Sequence, residues 1–503
     1  MKNTTTFLSI IVCILLVSPF SALAAEETQM KEQIKVILAP VKGWLIYQES
    51  IVPSPDSEHV ACVARKGNKF AIIYDGEVQK EYDLIGKDTP IFSWDSKHIA
   101  YKAKEGNKWM VVLDTKEGKP YDNVSVPVFS PDSKHLAYTV QYGAMQTVVL
   151  DGKELGVYDG IPPQNNLIFS NDSKRFAFVA LKGEKMVVNV DGKESEIYYQ
   201  ISYPAFSPDS KHIVFPVKTK NDEQFMVFDG KEGPRYDATG TFAFSHDSSR
   251  FVYSAKLKDK AFMVSDGEEQ SRYTDVAIPI FSPDSKTMAY NAIEGKKSYM
   301  VINGKKGKAY DEVRDLAFSL DSSRSILTVK DGEKWYAIES GKKSPPYDQI
   351  FFPSYSPDSK HVVYAAVREK KWFVVYDGKE GPEYDLVYDM IFSPDSQHLL
   401  YMVANAEKKW SVVIDNKEST WYDGVAVPNF TPDSKHHVYI VRDKNMWFAV
   451  VDGVEGKEKF LGFLKGSEFK FDNDTRMHIL GMHMPPEATL GPNIVNLNIE
   501  LAD

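Results

Sequence analysis

Cysteine is almost absent. Only Cys13 and Cys62 occur in 503 residues. Cys13 falls in an apolar leader, so removing that leader leaves one thiol and no intramolecular disulfide. Cys62 lies in the alternating stretch HVACVA, which marks a buried strand thiol rather than a nucleophile. Basic blocks are missing too. The chain has 60 Lys and Arg against 70 Asp and Glu, a net charge of −10. That argues against nucleic acid, whose affinity comes from neutralising phosphates. No low-complexity tract or Gly/Ser linker interrupts the sequence. A GxSxG elbow, a P-loop and a dinucleotide fingerprint are all lacking.

The N-terminus has Lys2, an apolar run from Phe7 to Val17, then Pro19 and the small-residue site Ala22-Leu23-Ala24. This is the pattern of a secretory signal peptide over residues 1–24. The run falls well short of the ~20 apolar residues of a spanning helix. Cys13 lacks the small residues that precede a lipoprotein cysteine. The expectation is an exported protein, periplasmic or extracellular, with no transmembrane anchor after cleavage.

What the remainder has is a repeat. FSPDSQHLLY at Phe392–Tyr401 returns as FSPDSKHLAY at Phe129–Tyr138 and FSPDSKHIVF at Phe206–Phe215. One Asp marks each copy: Asp56, Asp95, Asp132, Asp172, Asp209, Asp247, Asp284, Asp321, Asp358, Asp395 and Asp433, spaced 37–40 residues apart. Such a period signals a solenoid, an array or a propeller. Within one copy, SPDS suits a type I turn. HVVYAAV (His361–Val367) and WFVVYD (Trp372–Asp377) alternate as strands. Asp377-Gly378 is a type I′ hairpin signal. A third strand carrying Tyr384-Asp385 and a short fourth complete a meander. Ordering the backbone of such a unit costs more than its own apolar side chains return, so each sheet must pack face to face with its neighbours, and radial packing of four-stranded sheets is a β-propeller.

FSPDSKHxAY followed by a β-rich run ending in DG resembles the WD-like β-propeller repeat of TolB-type bacterial periplasmic proteins. The resemblance covers nearly all of residues 25–503 and implies an all-β propeller. That family usually has Gly after the marker Asp, where this chain has Ser. Eleven markers, with residues 33–48 and 463–503 forming a composite closing blade, give eleven to twelve four-stranded blades. These form either two six-bladed rings, split near residue 265, or one large ring.

The repeated His residues (His59, His98, His135, His212, His361, His398, His436) fall one per blade, and Arg175, Arg250 and Arg324 replace them elsewhere. A hydrogen-bond donor fits that substitution; a zinc site, which needs ~4 converging ligands, does not. His478 and His483 with His436-His437 form a lesser metal candidate. Asp472-Asn473-Asp474 resembles the start of a calcium loop without its Gly and closing Glu. No metal or cofactor is expected. The Tyr-Asp pairs (as at Tyr82-Asp83) and the tryptophans (Trp109, Trp335, Trp372, Trp410, Trp447) suit blade packing.

Copies differ most in the connection before each FSPDS strand, which the resemblance makes the innermost. Function usually sits on loops held by a rigid scaffold. Lys87, Asp88, Arg314, Asp315, Tyr388 and Asp389 are the charged and polar candidates there, and Tyr203, Phe351 and Phe352 the aromatic ones, all expected around the ring mouth. With no catalytic constellation, the sequence favours a non-enzymatic scaffold binding a protein, peptide or glycan of the envelope or exterior. A lyase or glycosidase with a site in the channel and a self-assembling surface protein are the alternatives.

Overall fold

The computed structural model describes residues 29–163, 167–485 and 491–502. The leader and Gln164–Asn166 lie outside them. Among the described residues, no helix is long and apolar enough to cross a membrane. The described residues fold into twelve antiparallel sheets. Blades 1–11 span 45–78, 84–117, 123–154, 167–194, 200–232, 238–269, 275–310, 312–343, 349–380, 386–418 and 424–455. Blade 12 combines 462–501 with Met30–Leu38, which pairs with Asn493–Leu501 as its outermost strand. Leu45–Ile46 instead opens blade 1, so residues 33–48 are divided between two blades.

Each interface is an apolar layer shared by two sheets. Ala61 and Ile72 of blade 1 pack with Ile85 and Tyr101 of blade 2. Val252 and Met263 of blade 6 pack with Tyr273 and Tyr290 beyond residue 265. Val438 and Ala449 of blade 11 meet Met477 and Ile479 of blade 12, and Leu480 of blade 12 meets Val60, Cys62 and Ala64 of blade 1. The clusters therefore close a single ring of twelve blades rather than two of six.

The repeated polar residues hold this frame. Each marker-turn Ser takes a positive φ, 60–67°. Ser96 Oγ accepts the N–H of Asp56 in the preceding blade at 3.0 Å, and ten interfaces carry this link. Glycine would fit the backbone but could not make the bond, which serine supplies. His361 Nδ1 lies 2.7 Å from Asp377, whose other oxygen accepts Val362 N–H at 2.9 Å. Arg175 and Arg250 donate to Asp191 and Asp266 in the same way. Tyr82 is buried and donates to Glu117 of blade 2 at 2.7 Å, while Asp83 accepts Lys69 at 2.8 Å and Gly106 N–H of blade 2 at 2.7 Å.

Candidate functional site

With the repeat positions committed to the frame, the variable residues of the first strand remain. This strand lines the axis. It is split in two in blades 1–3, 5, 7 and 12, and continuous but bulged in blades 6 and 8–11. Proline causes much of the interruption. Pro90, Pro127, Pro204, Pro279, Pro353 and Pro428 stand at one repeat position, and none can donate to the ladder. Arg314, Asp315, Phe351, Phe352, Tyr388 and Asp389 therefore lie within continuous first strands, whereas Lys87, Asp88 and Tyr203 fall between the two halves of split ones. Sheets pack roughly 10 Å apart, so twelve inner strands give a channel about 120 Å round and about 38 Å across. Side chains on opposite walls cannot meet across that width. Any site must be built from neighbouring blades.

Blades 8–10 provide such neighbours. The Arg314 guanidinium lies 4.0 Å from the centre of the Trp335 ring and 5.3 Å from that of Phe351. It donates to Ile350 O and, through Nε, to Asp315 at 3.1 Å. Asp315 also accepts Thr328 Oγ1 at 2.8 Å. Phe351 in turn stacks on Trp372, centroids 4.9 Å apart and planes at 16°. The result is a layered stack, Trp335–Arg314–Phe351–Trp372, across two blades. Arg314 is a wall of this stack, its charge met by Asp315.

Phe352 caps the stack, 56% exposed and 5.9 Å from Phe351. Tyr388 is 48% exposed on blade 10. Asp389 beside it makes no hydrogen bond or ion pair among the described residues, and partial desolvation pushes its carboxyl above the usual range. Phe352 (φ 53°), Asp389 (φ 45°) and Val427 (φ 46°) occupy one repeat position on three successive blades, all in the left-handed region. That is a genuine outlier for a bulky or β-branched residue.

The other candidates lie elsewhere on the ring. Lys87 and Asp88 join the inner strands of blade 2 and line a cleft of about 540 Å³ with Tyr47 and Phe70. Tyr203 is 56% exposed on blade 5. Sequence reasoning missed Ile278 and Val427. Ile278, 63% exposed, lines a cleft of about 370 Å³ with Arg314 and Asp315. Both stand six residues before a marker Asp, as Tyr203, Asp315, Phe352 and Asp389 do. That fixed offset was the available signal. Cys62 is fully buried, and burial pushes its thiol up to about 12.

No family model matches the chain, and no curated protein matches it. Among solved structures it is similar to TolB from Acinetobacter baumannii (14% identity, 50% of this chain and 80% of that one, TM-score 0.22). It is similar to the dihydro-heme d1 dehydrogenase NirN in complex with DHE (15%, 59% and 74%, TM-score 0.28). It is similar also to the β-propeller domain of the Trilobed protease from Pyrococcus furiosus (14%, 61% and 96%, TM-score 0.25).

Proposed function

We propose that this protein is an exported, non-catalytic propeller scaffold that binds a protein, peptide or glycan on the channel wall of blades 7–11. The observation that carries the reading is the run of left-handed, non-glycine residues Phe352, Asp389 and Val427 at equivalent bulges. Backbone strain of this kind costs ~1–3 kcal/mol per residue and persists where the surroundings impose it, often at ligand clamps. Here it accompanies exposed aromatic side chains and an unpaired carboxylate on consecutive blades. A ligand with an apolar or aromatic group beside a cationic one matches Phe352, Tyr388 and Asp389.

The carboxylates of the wall favour binding over acid–base hydrolysis. Asp315 and Asp389 stand two blades apart, roughly 20 Å at sheet-packing distance. Paired glycosidase carboxylates work at ~5–10 Å. The apolar leader supports export.

The test is a pull-down from envelope and culture extracts, together with peptide and glycan arrays. The parent is compared with a Phe352→Ser, Tyr388→Ala, Asp389→Asn variant of unchanged melting temperature. A ligand held by the parent and lost by the variant supports the reading. Equal retention by both moves the site off this wall. Arg314 is left intact, because its stack holds blades 8 and 9 together.

A further inference from the structure

Two core positions change character at one interface only. At the second-strand position facing the next blade, blades 1–11 carry an apolar residue, from Ala61 to Val438, whereas blade 12 carries His478. At the diagonal third-strand position the series runs from Ile72 to Ala449, and blade 12 carries Asn496. Both face blade 1.

Their surroundings are those of a ligand set. His478 is 3% exposed. Its Nε2 lies 2.8 Å from Asp56 O and 3.7 Å from Glu58 Oε1, and its Nδ1 lies 3.3 Å from Asp472 Oδ2. One ligand atom from each of Glu58, Asp472 and His478 falls within 4.8 Å of the others. Asn496 is fully buried and donates its amide to Ser57 O, between Asp56 and Glu58, at 3.1 Å. Its Oδ1 has no partner among the described residues. A buried polar atom left unpaired loses its hydration for nothing, and such atoms mark water or ion sites. Packing does not explain it, since the other interfaces fill these positions with hydrocarbon.

We infer that the interface between blades 12 and 1 holds a divalent transition-metal ion of the zinc or manganese class. Its ligands are His478, Glu58 and Asp472, and buried Asn496 holds the backbone at Ser57, next to Glu58. Imidazole with carboxylates suits those ions, whereas calcium takes oxygen ligands. His478 Nε2 donates to Asp56 O, which fixes the tautomer and leaves Nδ1, on the Asp472 side, to take the ion. The ion joins Glu58, near the chain's start, to residues near its end, so it fastens the first blade to the last.

The experiment titrates the EDTA-treated protein with Zn²⁺, Mn²⁺ or Ca²⁺ by calorimetry, counts bound metal by mass spectrometry and follows thermal melting. One zinc or manganese ion per chain is expected, with a raised melting temperature. Glu58→Gln and Asp472→Asn, changes at solvent-accessible side chains that leave the fold intact, weaken binding at least roughly tenfold. Asp474→Asn, in the same turn but outside the ligand set, leaves it unchanged. Binding of none of the ions, preference for calcium, or affinity equal in parent and ligand variants overturns the inference.

Discussion

The hydroxyl of Ser285 accepts the backbone N–H of Asp247 at 3.0 Å across the interface between blades 6 and 7. Ser285 reaches that geometry at φ 65°, where glycine is unstrained and other residues are not. Strain and bond are of similar size: the left-handed backbone costs ~1–2 kcal/mol, and a hydrogen bond returns ~0.5–1.5 kcal/mol. Ser285→Gly is therefore nearly neutral, while Ser285→Ala keeps the strain, loses the bond and destabilises by about 1–2 kcal/mol. Urea denaturation of both variants checks this. An alanine variant as stable as the glycine one means the inter-blade bond contributes nothing.

Acid should loosen the marker turns of blades 2–11 within one pH window. Asp247 is held to about 2, first by the Ser245 hydroxyl and then by Ser249. Asp321 is likewise held to about 2, first by Ser319. The marker carboxylates of blades 2–11 all shift down in the same sense. A depressed folded value means that folding favours the ionised form. That stability is fully present above the unfolded value of about 3.9 and is lost as pH falls through the folded value. The melting temperature should hold from neutral pH to about 4.5 and fall steeply from there toward 2. Calorimetry across that range is the check. A fall beginning above pH 5 would mean that the marker carboxylates do not set the acid limit.

The frame was legible because each of its devices recurs. Marker turns, Asp-Gly hairpins and His or Arg donors are local signals repeated at fixed spacing, so the strands and blade count followed from them. Ring number was not legible. Twelve blades turn only about 30° apiece, a wedge set by side-chain packing between sheets, and the connection from blade 6 to blade 7 resembles all the others. The site was half legible. Variability singled out Arg314, Phe352, Tyr388 and Asp389, yet suggested a loop at the mouth. The strands Glu312–Phe318, Gln349–Tyr355 and Leu386–Phe392 hold them within the inner strand instead. Arg314 looked like a free cation in sequence, and only the structure supplies Trp335 and Asp315 as its partners.

If the bulge strain at Phe352 serves binding, relieving it should separate stability from function. Phe352 is 56% exposed and its ring lies 5.9 Å from that of Phe351. Phe352→Gly removes ~1–2 kcal/mol of left-handed strain at an entropic cost of ~0.5–1 kcal/mol. The variant should melt at or slightly above the parent while losing capture of the wall's ligand. Thermal melting and array binding on one preparation test both halves. A clearly destabilised variant would make Phe352 a packing residue and remove the argument from strain.

Ring closure rests on one borrowed strand. Met30–Leu38 pairs along Asn493–Leu501 from Met30↔Leu501 to Leu38↔Ile494. Glu32 reaches from it to accept the N–H groups of Lys457 (2.6 Å) and Glu458 (3.0 Å) at the blade 11–12 connection. Outermost strands elsewhere are mostly two residues long, a length that offers little edge to a stray partner. Deleting residues 30–38 uncovers the largely apolar, nine-residue edge of Asn493–Leu501. Long exposed edges of that kind pair with other chains. The deletion variant should therefore form higher oligomers in light scattering after size exclusion. A synthetic peptide of residues 29–40 should return it toward monomer by refilling the edge. A truncated protein that stays monomeric with unchanged melting would mean that the strand covers blade 12 without closing the ring.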